Sequence, residues 1–343
     1  MSVLGVDAPI VLGPFGGMSS VPLAAAVSNA GGLGSFGLYG YDGARIRATA
    51  AELRAATGRP FALNLWLPLD GDHDVHPDDA EFAHYVDLLR PYFNELDVAV
   101  PERPDAYLPS YDEQVDAVLE ARPAVISTVF GVPSPDLVER ASTLGIAVVG
   151  TATTVDEAVA LEAGGVDAVV ATGMEAGGHR VSFLRPAEES LVGTLSLVPQ
   201  VVDAVRVPVI AAGGIADGRG LAAVLALGAA AAQVGTAFLA TDESAAPPAY
   251  REALHGARRT ALTRSMSGRL ARGIPNRLMD EITEIAPFPV QNWLTGRFRA
   301  VAAQRGDTSL MSLWAGQGAG LLRHRDAASV FRELASGAHR VPR

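Results

Sequence analysis

Val209-Ile210-Ala211-Ala212-Gly213-Gly214-Ile215-Ala216-Asp217-Gly218 reads as an apolar strand that stops at a glycine pair and feeds a helix predicted over Gly218–Leu227. The chain then returns to an apolar run, Ala232–Phe238, that holds Gln233-Val234-Gly235-Thr236. Strand, glycine turn, helix and strand in this order make the βα unit of a parallel sheet. Unbroken apolar runs, rather than alternating ones, fit strands covered on both faces.

Outward from this unit the rhythm repeats. Predicted strands are Pro9–Gly13, Leu33–Leu38, Phe61–Leu67, Ala124–Phe130, Ala147–Thr151, Ala168–Thr172, Val209–Ala212 and Ala232–Phe238. Helices are expected over Pro22–Ala30, Gly43–Ala56, Pro135–Leu144, Val155–Ala163 and Leu191–Ala204 as well. Eight strands favour a closed TIM (β/α)8 barrel over an open doubly wound sheet. The chain has 343 residues where such a barrel needs about 250, so an extra lobe fits. Residues 68–110, rich in Asp, Pro and Tyr, and residues 241–310 break the rhythm. Both leave the C-terminal ends of strands, where barrel enzymes build their sites. The expected organisation is therefore a barrel from 1–240 and 311–343, with 68–110 and 241–310 as lid or substrate-binding segments.

Composition narrows the chemistry. A hydrophobic share of 49% and a mean hydropathy of +0.21 supply a large core, yet no apolar run is long enough to span a bilayer. A net charge of −11 argues against nucleic-acid partners, which need clustered cations. The densest basic stretch, around Arg264, Arg269 and Arg272, reads as a local structural or anion-binding feature. There is no Cys, which removes disulfides, thiolate nucleophiles and iron–sulfur clusters. There is also no Lys, which removes Schiff-base and pyridoxal-phosphate chemistry. The start, Met1–Asp7, lacks a basic leader pattern, so a cytoplasmic protein is expected.

Candidate chemistry gathers after the strands. Ala171-Thr172-Gly173-Met174-Glu175-Ala176-Gly177-Gly178-His179-Arg180 follows the sixth. Its glycines admit a flat ligand close to the backbone, and an adjacent His can move a proton near neutral pH. The loops after strands seven and eight offer N–H groups at Gly213, Gly214, Gly235 and Thr236, the usual place for phosphate in a barrel. Gly13-Pro14-Phe15-Gly16 could lie along a flavin edge. Asn64, polar in an apolar strand, either is satisfied locally or meets a ligand. The run Asp70-Gly71-Asp72-His73-Asp74-Val75-His76-Pro77-Asp78-Asp79 matches no standard ligand spacing, so no metal is expected. His84, His255, His324 and His339 read as surface or packing residues.

In this order the segments resemble the nitronate monooxygenase family, formerly the 2-nitropropane dioxygenases. The resemblance rests on Ala25–Ser35, Glu175–Arg180, Ser182–Ser190, Gly213-Gly214, Gln233–Thr236 and Leu313-Trp314-Ala315-Gly316-Gln317-Gly318. It implies an FMN enzyme that oxidises alkyl nitronates with O2 to a carbonyl compound and nitrite. His179 would be the base for neutral nitroalkanes. Positions implied near FMN are Asn64, Thr172, Gly177, Gly178, Gly214, Gln233, Val234, Gly235 and Thr236. Thr172 and Val129 replace a Gln and a His common in relatives, so a pocket with fewer polar helpers is expected. Partners would be a small-molecule substrate and O2, with a homodimer compatible. Competing readings are a flavin enoyl-(acyl carrier protein) reductase, an NAD(P)H:quinone reductase and a non-catalytic flavin-binding protein. A barrel dehydrogenase that needs a catalytic Cys fails outright.

Overall fold

In the computed structural model, which describes residues 2–69 and 75–338, the predicted strands appear in sequence. They are β1 (Ile10–Leu12), β2 (Gly34–Gly37), β3 (Phe61–Trp66), β4 (Val125–Val129), β5 (Ala147–Ala152) and β6 (Ala168–Thr172). After the short β7 (Gly178–His179) come β8 (Val209–Ala212), β9 (Ala231–Val234), β10 (Ala261–Thr263) and β11 (Ala271–Gly273). Eight run side by side in the order β1-β9-β8-β6-β5-β4-β3-β2, every pair parallel. A bridge between Val11 and Leu33 joins the two ends, with Leu12 N–H donating to the Leu33 carbonyl at 2.9 Å. The result is a (β/α)8 barrel.

Side chains alternate faces along a strand, and here the alternation sorts two cores. Val11, Ala62, Val125, Val149, Val170 and Ile210 fill the barrel interior as one cluster. Their neighbours Ile10, Leu12, Leu63, Ile126, Val148, Val169 and Ala211 pack outward among the helices. Helix starts follow side-chain caps that satisfy orphan N–H groups. Asp42 caps Gly43–Ala56, Thr154 caps Val155–Ala163, and Asp217 caps Gly218–Ala226.

Two predicted boundaries move by more than one residue. The eighth strand stops at Val234, and Thr236–Leu239 is a short helix in which the Gly235 carbonyl accepts from Phe238 and Leu239 N–H, both at 3.0 Å. A short apolar run cannot be told from a buried helix by periodicity. The helix expected from Leu191 begins at Thr194, because the Glu175 carboxylate takes the Thr194 N–H at 2.9–3.0 Å. That contact closes the long connection after β6 across a separation of 19 residues and leaves no local trace.

The two interrupting segments acquire a core of their own. The first carries the helix Asp79–Glu95, closed at its start by a capping box of Asp78 and Glu81. The second carries the helices Pro248–Gly256 and Val290–Arg305. Phe82, Val86 and Phe93 from the first meet Tyr250, Leu294 and Phe298 from the second in one apolar cluster, joined by Leu310 and Leu313. A small sheet ties this lobe to the barrel: β11 pairs antiparallel with β10 and with β7. No helix among the described residues is long and apolar enough to cross a membrane.

Candidate active site

A cavity of about 370 Å³ opens at the C-terminal ends of the strands, within the range of roughly 300–1,000 Å³ seen for small-molecule sites. Gly13, Pro14, Phe15, Gly16, Asn64, Thr172, Gly177, Gly178, His179, Gly213, Gly214, Gln233, Gly235 and Thr236 all line it. Val234 does not. The two-residue period that turns Gln233 toward the cavity turns Val234 outward into the apolar layer under the helices, where it is fully buried. Its contribution is a carbonyl that accepts from Gly13 N–H at 2.8 Å.

One end of the cavity is built of backbone. Gly213 and Gly214 have φ of +111° and +71°, a region costly for residues bearing Cβ. A Cβ on Gly213 would stand 2.7 Å from Thr194 Oγ1, and one on Gly13 would stand 3.0 Å from Gly235 Cα. The first N–H groups of the helix Thr236–Leu239 lack intrahelical partners. Thr236 Oγ1 accepts from Gly316 N–H at 2.9 Å, which leaves its own proton free to donate. Bare amides and a hydroxyl, in a chain without lysine, fit the phosphate of a flavin mononucleotide. Along the wall, Asn64 Nδ2 donates to Ser127 O at 3.2 Å and to Ser127 Oγ at 3.0 Å. Asn64 is therefore satisfied locally and lines the cavity as well.

The other end is built around His179. Pairing with Ala271 of β11 and the bond from Arg180 N–H to Leu270 O at 2.8 Å fix its backbone. Arg180 itself lies buried beneath the loop and donates to the carbonyls of Thr172, Gly173 and Ser190. His179 Nε2 meets Ser267 Oγ at 2.8 Å. The Ser267 hydroxyl lies 3.3 Å from Arg269 O, so it can donate there and accept from Nε2–H, the arrangement that puts the ring's lone pair on Nδ1. Trp66 stands edge-on to the imidazole at 5.0 Å between centroids, with Trp314 at 5.3 Å and Phe130 at 6.4 Å. Burial, then the charges of Arg269 and Arg299, push its pKa down from 6.5 to about 3. The ring is a neutral imidazole at physiological pH.

The basic stretch divides its labour. Arg264 pairs with Glu188 at 2.8 Å, and Arg272 Nε donates to Met174 O at 2.7 Å. The Arg269 guanidinium lies over the rings of Phe130 and Phe288, at 4.2 and 3.9 Å. Arg299, on the helix Val290–Arg305, lines the cavity. It donates to Ser312 Oγ and, at 2.7 Å, to Asn292 Oδ1. Burial lowers its pKa to about 10, so it stays charged.

Thr172 and Val129 do line the cavity. The polar help missing from the barrel comes instead from the lobe, through Ser267, Arg269, Asn292 and Arg299. Sequence reasoning noted Arg269 only within the basic stretch and passed over Ser267, Asn292 and Arg299, together with Tyr39 and Trp66, because none belongs to a local motif. A larger hollow of about 550 Å³ adjoins the cavity and shares Tyr39 and Trp66 with it. His84 pairs with Glu284, His255 meets Ala240 O, and His324 lies 3.8 Å from Glu333, all away from this cavity. Asp70–Asp74, with His73, and His339 fall outside the described residues. Among the described residues no His and carboxylate group is gathered to hold a metal ion.

A (β/α)8 barrel with a glycine-built end and a half-buried imidazole on its cavity fits the class of barrel oxidoreductases that work over a flavin. The family model described as nitronate monooxygenase matches residues 1–335, and the chain belongs to that family of flavin-dependent oxidoreductases. It is 43% identical over 342 residues to a nitronate monooxygenase of Pseudomonas aeruginosa, covering 97% of this chain and 96% of the relative. A solved nitroalkane oxidase from Streptomyces ansochromogenes superposes with a TM-score of 0.90 at 39% identity, over 98% of this chain and 97% of the other. FabK from Thermotoga maritima aligns with a TM-score of 0.76 at 30% identity, over 99% and 95%.

Proposed function

We propose that this enzyme is an FMN-dependent nitronate monooxygenase that oxidises alkyl nitronates with O2 to a carbonyl compound and nitrite. Neutral nitroalkanes would enter the same route after His179 removes their α-proton. The observation that carries this reading is a neutral imidazole, held by Ser267 and flanked by two guanidinium groups, at the mouth of a glycine-built cavity. A neutral ring can accept a proton, and the cations favour the anion that forms.

FMN would be held by Gly13–Gly16 along its edge, by Asn64, Thr172 and Gln233 on the strand ends, and by Gly213, Gly214, Gly235 and Thr236 at its phosphate. Once bound it would supply the two-electron oxidation and the route to O2. The chain does the rest. Nδ1 of His179 takes the proton while Ser267 holds the ring's orientation. Trp66, Phe130 and Trp314 keep water from the imidazole. Residues 68–110 and 241–310 act as the substrate lobe, and the packing of Phe82 and Phe93 against Phe298 supports that role.

The test is oxygen consumption over a panel of nitronates and nitroalkanes, with nitrite measured and NADH and NADPH as controls. Nitronate-dependent oxygen uptake with nitrite release is expected. Rapid anaerobic bleaching of the flavin by NADH or NADPH, without nitronate turnover, would overturn the reading in favour of a reductase.

A further inference from the structure

Arg299 is a charged group that folding does not account for. Its guanidinium lines the cavity and is bonded to neutral acceptors: Ser312 Oγ, Asn292 O and Asn292 Oδ1. Its Nε–H is buried without a partner. Arg277 pairs with Glu95 and Glu281, and Arg325 with Glu252. Arg180 shares an unpartnered Nε and neutral acceptors with Arg299, but it lies beneath the loop and does not line the cavity. No carboxylate pairs with Arg299 among the described residues. A buried cation without a counter-ion is costly, and one on a cavity wall marks where an anion belongs.

The position says which anion. The glycine amides suited to a phosphate stand at the end formed by Gly213, Gly214 and Thr236. Arg299 instead keeps company with Ser312 and Asn292, and Asn292 Nδ2 donates to Tyr39 Oη at 2.7 Å. Its charge reaches the His179 ring, so it belongs to the end where a proton would move. We infer that Arg299, oriented by Ser312 and Asn292, is the counter-ion of the substrate's nitronate oxygens and makes the enzyme select the anionic nitronate over the neutral nitroalkane. This inference rests on the nitronate chemistry proposed above. The same charge weakens His179 as a base while it stabilises the nitronate that forms, so a neutral nitroalkane depends on it far less than the nitronate does.

The test uses the flavin-loaded enzyme and Arg299→Met, with Arg299→Lys as the charge-conserving variant. Nitrate, a planar anion that resembles the nitro group, is titrated calorimetrically. The nitrate Kd should rise about 10- to 100-fold in Arg299→Met and recover in part in Arg299→Lys. The KM for ethyl nitronate should rise in step, and turnover of nitroethane should change far less. In the wild type, saturating nitrate should raise the His179 pKa, read by imidazole NMR; this measurement needs no variant. Nitrate affinity unchanged in Arg299→Met with flavin retained would overturn the inference. So would joint loss of nitrate and flavin binding, which would make Arg299 a cofactor ligand, or a His179 pKa indifferent to nitrate. If nitrate binds through Arg299 and no nitronate is oxidised, the proposed function falls and the anion site stands.

Discussion

Replacing His179 by Gln separates proton transfer from everything else the cavity does. Glutamine keeps much of the side-chain volume between Trp66 and Trp314 and retains a group able to reach Ser267, but it is no base. The fall of the imidazole pKa from 6.5 to about 3 is worth about 5 kcal/mol of proton affinity. Arg269 and Arg299 cause part of that loss, and they return part of it by stabilising the nitronate that forms. Wild-type turnover of a neutral nitroalkane should therefore be slow beside oxidation of its nitronate. It should also be nearly flat from pH 5 to 8, because a group with a depressed pKa stays unprotonated above that value. General-base catalysis contributes about 10²- to 10⁴-fold, so His179→Gln should cut nitroethane kcat/KM by that factor. Ethyl nitronate, already deprotonated, should be spared to within a few-fold. The assay is stopped-flow reduction of the flavin by each substrate without oxygen, with flavin content checked. Equal losses for both substrates with flavin retained would refute the assignment of His179 as a base. An acid limb near pH 6.5 in the wild-type nitroethane profile would show that the ring is not buried as described.

Three further outcomes test the frame. Gly213→Ala puts a Cβ 2.7 Å from Thr194 Oγ1 at a φ of +111°; it should weaken FMN affinity at least tenfold by equilibrium dialysis while the apoprotein stays folded. Glu157 is a fully buried carboxylate that accepts from the N–H groups of Thr153, Phe183 and Leu184. Glu157→Gln turns an amide donor toward donors and should cost about 2–4 kcal/mol in urea unfolding. Phe298→Ala empties the centre of the lobe's cluster, where the ring stacks on Tyr92 at 5.5 Å; a loss of about 3–5 kcal/mol should appear in hydrogen exchange of Val290–Arg305, with the barrel strands spared.

Local pattern and long-range geometry contributed differently to this protein. Gly213-Gly214, Gln233–Thr236 and the Gly177-Gly178-His179 turn were legible because each function needs a backbone shape that few residues allow, and that requirement is written in adjacent positions. The strand count was legible for a similar reason, since continuous apolar runs mark strands buried on both faces. That Val234 turns its side chain away from the cavity was not legible from a run of neighbours, because the pleat sends alternate side chains to opposite faces. Arg269 was legible only as part of a basic stretch, and Ser267, Asn292 and Arg299 were not legible at all. They lie some 90 to 120 residues along the chain from His179, and the lobe's apolar core together with the pairing of β11 to β7 brings them to the barrel mouth. By itself the sequence determined a barrel and singled out the glycine loops and the histidine that line its cavity. Tertiary structure alone decided that the His179 imidazole sits beside guanidinium charge that disfavours its protonation, because burial and electric field depend on what packs nearby in space.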